Sequence, residues 1–165
     1  TEKAEKSLNV NFEHYKKTTK ISTELRLVGY KNMSVLCSED LIINNFLKKF
    51  NISKINEPLN PDSLLYCGLG LMSSSGNFKR SLIKYKYKYR NYPRVIKIKD
   101  RIYFVAENIL KAKEIEDVFK SHLYLYSGRI EKRSLSKDDI KRLESYNPQK
   151  NRLRFWFDYE GKKEK

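Results

Sequence analysis

Residues 82–89 read LIKYKYKY, and so strict an alternation leaves few ways to fold them. In an extended chain successive side chains point to opposite faces. Lys84, Lys86 and Lys88 then share one face, and Tyr85, Tyr87 and Tyr89 share the other. Asn91-Tyr92-Pro93 is a turn signal. The alternation resumes in VIKIK (95–99), which places Lys97 and Lys99 together, and Asp100-Arg101 turns into IYFV (102–105). The pattern predicts a twisted antiparallel sheet with a lysine-rich face.

The flanking sequence predicts helices to back that sheet. Residues 1–20 are polar, of mixed charge, and read as a flexible arm without a signal-peptide core. Residues 24–37 read as two short strands around Tyr30-Lys31-Asn32. Ser38 reads as an N-cap, with Glu39 and Asp40 in the first turn of a helix over 39–50. Ile42, Ile43, Phe46, Leu47 and Phe50 recur there at helical spacing. Asn60-Pro61 reads as a cap and first turn for an apolar helix over 62–72, ended by Ser73-Ser74-Ser75-Gly76. Residues 107–123 carry Ile109, Ala112, Ile115, Phe119 and Leu123 along one side of a further helix. Ser136 caps a short helix that Pro148 stops, and RLRFWF (152–157) reads as an edge strand. The expected organisation is an arm over 1–20, one α+β domain over 21–157 and a frayed tail over 158–165.

Charge sets the class of partner. The 165 residues carry 35 Lys and Arg against 20 Asp and Glu, a net charge of +15. A field of that size suits nucleic acid or an anionic membrane surface. It is concentrated: the 23 residues from Lys79 to Arg101 hold ten cations against Asp100 alone. The 21 aromatic residues (12 Tyr, 8 Phe and 1 Trp) argue against a disordered basic tail. No apolar run approaches the roughly 18–20 residues of a membrane span. The 25 Lys, 13 Asn and 13 Ile, against three Ala, are the signature of AT-rich coding, which accounts for part of the lysine excess. That composition points to an organellar (mitochondrial) or cytoplasmic setting.

Signals for bond-making chemistry are poor. The two histidines, His14 and His122, form no metal-binding spacing, and His122 reads as structural. Cys37 and Cys67 are too few for a disulfide framework and read as two buried thiols, with a pair as the alternative. Gly68-Leu69-Gly70 lacks the rest of a dinucleotide fingerprint. No catalytic residue, metal ligand or cofactor is expected.

Two stretches resemble known families. LGLMSSSGNF (69–78), with LNPDSLLYCGLGLM overlapping it and SEDLIINNFLKKFNI (38–52) as the matching end of a preceding repeat, resembles the LAGLIDADG homing-endonuclease motif. The resemblance implies close-packed motif helices, with Gly68, Gly70 and Gly76 in packing and capping roles, beside a basic β-saddle that grips DNA. It also implies metal-binding acids where this chain has Ser73 and Ser75, and serine does not hold Mg²⁺ as a carboxylate does. A second likeness is to the C-terminal half of class II aldolase/adducin domains. It rests on YKNMSVLCSED (30–40), PDSLLYCG (61–68), YPRVIKIKDRIYFV (92–105) and LSKDDIKRLESY (135–146). There Asn32-Met33-Ser34 stands where the family has a zinc-binding Asn-His-Gly. Both likenesses imply a chain without its family's metal chemistry.

The expected function is therefore non-catalytic nucleic-acid binding, RNA ahead of DNA, in an organellar ribosomal or intron-associated role. The candidate phosphate contacts are Lys79, Arg80, Lys84, Lys86, Lys88, Arg90, Arg94, Lys97 and Lys99. Interleaved tyrosines would stack on bases where exposed. The alternatives are an inactive aldolase-like domain and a protein–protein adaptor. Other proteins of a ribonucleoprotein are possible further partners.

Overall fold

The computed structural model describes residues 2–50, 55, 57–127 and 134–148, with side chains described from residue 12 onward. The expected strand over 152–157 and the tail over 158–165 lie outside these residues. Six helices and four strands are present among them: α1 (Glu2–Leu27), β1 (Ser34–Cys37), α2 (Leu41–Lys49), α3 (Pro61–Cys67), β2 (Met72–Ser74), α4 (Phe78–Tyr89), β3 (Val95–Ile98), β4 (Arg101–Ala106), α5 (Ile109–Ser127) and α6 (Lys137–Ser145). The fold class is α+β, as expected.

The strands form one sheet in the order β1-β4-β3-β2. β4 pairs antiparallel with both β1 and β3, but β2 joins β3 in parallel, so the sheet is mixed and not purely antiparallel. The β3–β4 hairpin turns where expected, with Lys99 in the left-handed region at φ 54. β4 shows why no face of the sheet centre is open. Ile102, Phe104 and Ala106 enter one core cluster, with Ile43, Phe46, Leu65, Ile115 and Phe119 from α2, α3 and α5. Tyr103 and Val105 enter the other, with Ile21 and Leu25 from α1 and Leu82 and Tyr85 from α4. Helices cover both faces, which explains why residues 102–106 are apolar without alternation.

Three expected boundaries move. α1 is a helix from Glu2 to Leu27, where the sequence suggested an arm and a first strand. Few apolar residues mark it; Ile21 and Leu25, one turn apart, are the buried ones in its second half. Its end is a Schellman motif: Tyr30 N donates to Leu25 O and Gly29 N to Arg26 O, with Gly29 at φ 90. The cap of α2 is Asp40, whose carboxylate accepts from Ile42 N and Ile43 N at 2.9 and 3.2 Å. Ser38 is otherwise engaged, donating from N to Ile102 O and from its hydroxyl to Glu116. The helix expected over 62–72 ends at Cys67, where Gly68 takes φ 79, and Met72–Ser74 becomes β2. Asn60 and Pro61 start it as expected, within a capping box closed by Ser63.

Two further helices lie where their spacing placed them, and neither cysteine is paired. α5 buries Ala112, Ile115, Phe119 and Leu123. Ser136 and Asp139 form the capping box of α6, which ends before Pro148. Cys37 and Cys67 are free thiols, half-buried and buried, and burial pushes Cys67 up to about 12.

Candidate nucleic-acid interface

The KYKYKY segment is a helix. Asn77 caps α4, its side chain accepting from Arg80 N at 3.0 Å. Phe78, Leu82, Tyr85 and Tyr89 follow at spacings of four, three and four, which is helical periodicity beneath the two-residue alternation. Leu82 and Tyr85 are buried, and Phe78 and Tyr89 are half-buried. The Tyr85 hydroxyl donates to Gly70 O at 2.8 Å, and burial pushes its phenol above the ordinary range. The Tyr85 and Tyr89 rings lie 4.5 Å apart.

A helix cannot keep alternate residues on one side, so the expected ribbon is divided. Arg80, Lys84 and Lys88 stand four residues apart and form one exposed row, about 12 Å long at 1.5 Å per residue. Lys79 and Arg90 are exposed near its two ends. Lys86 turns the other way. Its ammonium donates to Val28 O at 2.6 Å and lies 5.0 Å from the Tyr30 ring centre. It thus supplies a cation to the carbonyl end of α1, where the helix dipole favours one. A Cβ at Gly29 would stand 3.3 Å from that nitrogen, so the glycine also leaves room for it.

Arg94 and the hairpin lysines also leave the ribbon. Arg94 is only 4% exposed, and its guanidinium donates to the buried Leu65 O. Lys97 shares strand parity with Val95, so it points to the side of the sheet covered by α5, away from α4. Lys99 is exposed at the hairpin tip. Of the nine candidates six are exposed on α4 and its C-cap; Lys86 is committed to Val28 O, which leaves Lys79, Arg80, Lys84, Lys88 and Arg90 for a ligand.

Two neighbours belong with them. Tyr87 is 90% exposed and Ile83, one turn before it, is 50% exposed. The sequence reading set Tyr87 with Tyr85 and Tyr89 because it used a period of two. The spacing of Phe78, Leu82, Tyr85 and Tyr89 is the signal that separates them.

The electrostatics of this face are one-sided. α4 contains no acid, and among the described residues no carboxylate is paired with Arg80, Lys84 or Lys88. Like charges four residues apart on a helix repel by about 0.2–0.5 kcal/mol per pair, and the Arg80–Lys84–Lys88 row contains two such pairs. Lys79 and Arg80 also face the positive end of the helix dipole. A bound polyanion relieves all of these terms at once.

Lys86→Met tests the structural share of the segment. It should cost about 1 kcal/mol by removing a charge-assisted hydrogen bond at an exposed site. Urea unfolding would read this as a lower midpoint; an unchanged midpoint would deny Lys86 its capping role.

Comparisons with family models, curated proteins and solved structures found no match to this chain.

Proposed function

We propose that this protein binds nucleic acid, RNA ahead of DNA, without acting on it chemically, and that the outer face of α4 is the contact surface. The observation that carries the reading is the exposed row Arg80, Lys84, Lys88, flanked by Lys79 and Arg90 and unopposed by acid. Cations in a row neutralise successive phosphates and release counterions, and this entropy supplies most of the non-specific affinity. The same face offers no carboxylate, imidazole or thiol for proton transfer or nucleophilic attack.

Replacing Arg80, Lys84 and Lys88 together with Glu is the direct test. All three side chains are exposed, so the fold should survive. Affinity for a fluorescent single-stranded RNA 20-mer should fall at least tenfold. The slope of log K against log salt should shrink by about 2, since each lost single-strand phosphate contact removes about 0.7. Equal affinity in a variant with an unchanged circular dichroism spectrum would reject this face. So would binding to vesicles of anionic phospholipid with none to RNA, or a partner complex that survives nuclease and about 0.5 M salt.

A further inference from the structure

We infer that Tyr87 is a stacking platform for an unpaired base, so that the α4 face selects single-stranded RNA over duplex. This rests on the nucleic-acid reading above and adds to it the form of the ligand. The starting point is the contrast among three tyrosines on one helix. Tyr85 is buried and hydrogen-bonded to Gly70 O, and Tyr89 packs against Tyr85. Tyr87 is 90% exposed, more than the other exposed large hydrophobic side chains among the described residues. An aromatic ring left in water forgoes the burial that most of its kind obtain.

Its surroundings are those of a stacking site. Positions three and four residues apart are neighbours on a helix surface. Tyr87 therefore has Ile83 and Lys84 on the turn before it, Lys88 follows it in the chain, and Arg90 is the C-cap just past the helix end. A base laid on the ring would meet the half-exposed Ile83 at its edge, with the Arg80–Lys84–Lys88 row alongside for the adjoining phosphates.

Every base has a π-face, so the contact is tolerant of sequence. A duplex keeps those faces inside its own stack and shows proteins its backbone, 2′-hydroxyls and base edges. The cation row gains contacts from either form; the ring gains only from the single strand.

The experiment uses the full chain with two probes, a 12-nucleotide oligouridylate and a 12-base-pair RNA duplex, at one salt concentration. The wild type should prefer the single strand. Tyr87→Ala should weaken oligouridylate binding about tenfold and leave duplex binding within twofold. Tyr87→Phe keeps the π-face and should stay within twofold of wild type on both probes. Single-strand affinity unchanged in Tyr87→Ala, equal losses on both probes, or a wild-type preference for duplex would each overturn the inference. The Arg80/Lys84/Lys88 triple variant separates the two levels. If it loses both probes while Tyr87→Ala loses neither, the cationic face stands and the stacking inference falls. If the triple variant loses nothing, the nucleic-acid reading of α4 falls as well.

Discussion

Arg94→Met should lower the unfolding free energy by about 3 kcal/mol, within the range for hydrogen bonds to charged groups and for buried acceptors left unmet, and leave RNA affinity unchanged. Arg94 sits in the most basic stretch of the chain, yet its side chain faces inward at 4% exposure. It packs beside Gly68, where a Cβ would lie 3.8 Å from the Arg94 Cδ, and its guanidinium carbon is 5.9 Å from the Tyr92 ring centre. Its guanidinium donates to Leu65 O in the last turn of α3. The last carbonyls of a helix have no partner within it. Gly68 N serves Leu64 O, and Arg94 serves the next carbonyl. Methionine fills much of the stem's volume but donates nothing, so the loss reports the guanidinium's contacts with Leu65 O and Tyr92 rather than the packing of the stem. Arg94→Lys should recover only part of the loss, because an ammonium lacks the planar fork of the guanidinium. Urea denaturation reads the stability, and fluorescence anisotropy with the RNA 20-mer reads the affinity. An unaltered unfolding midpoint, or an affinity loss with a smaller salt slope in the folded variant, would return Arg94 to the phosphate-binding set.

Arg94 also shows which parts of this molecule its sequence displays. Capping residues were legible because they act locally. Asn60 and Ser136 accept from backbone N–H groups three residues on, and Pro61 brings its own fixed φ to the first turn, so no distant element can override them. The hairpin of β3 and β4 was legible for the same reason. The KYKYKY segment was misread because a period of two, taken alone, says extended chain. Its apolar frame of Phe78, Leu82, Tyr85 and Tyr89 has helical spacing, and burial of Leu82 and Tyr85 against Ile96, Tyr103 and Val105 decides the matter. β-Propensity is weak when packing favours another state. α1 was hidden because its buried stripe is thin, and its stop signal, Gly29, works with Lys86, 57 positions further along. The candidate site was legible as a stretch of charge but not as a surface. Which cations are left for a ligand depends on the tertiary positions of α1 and α3, to which Lys86 and Arg94 are committed.

His122 makes the second large prediction, an acid sensitivity that one substitution should remove. The ring is 5% exposed and stacks on Phe119, with centroids 6.2 Å apart and planes at 19°. Neither ring nitrogen has a hydrogen-bond partner among the described residues. Burial drives its pKa down from the ordinary 6.5 to about 4. Above pH 6.5 the imidazole is neutral in both the folded and unfolded states, and it contributes no pH dependence. Between 6.5 and 4 the unfolded chain takes up a proton that the folded chain refuses, so stability falls as the pH falls. Below 4 both states are protonated and the effect levels off. A shift of this size corresponds to about 3 kcal/mol lost across that window. His122→Phe retains a ring of similar shape and has no nitrogen to protonate. At pH 7 the variant should be at least as stable as the wild type, because it also removes two buried polar atoms without partners. Carboxylates that titrate in the same range affect both proteins alike, so the readout is the difference between them. Urea unfolding at pH 7, 5.5 and 4 should show that difference growing by about 3 kcal/mol toward acid. Parallel stability curves would mean that the imidazole is protonated within the fold as readily as in the unfolded chain.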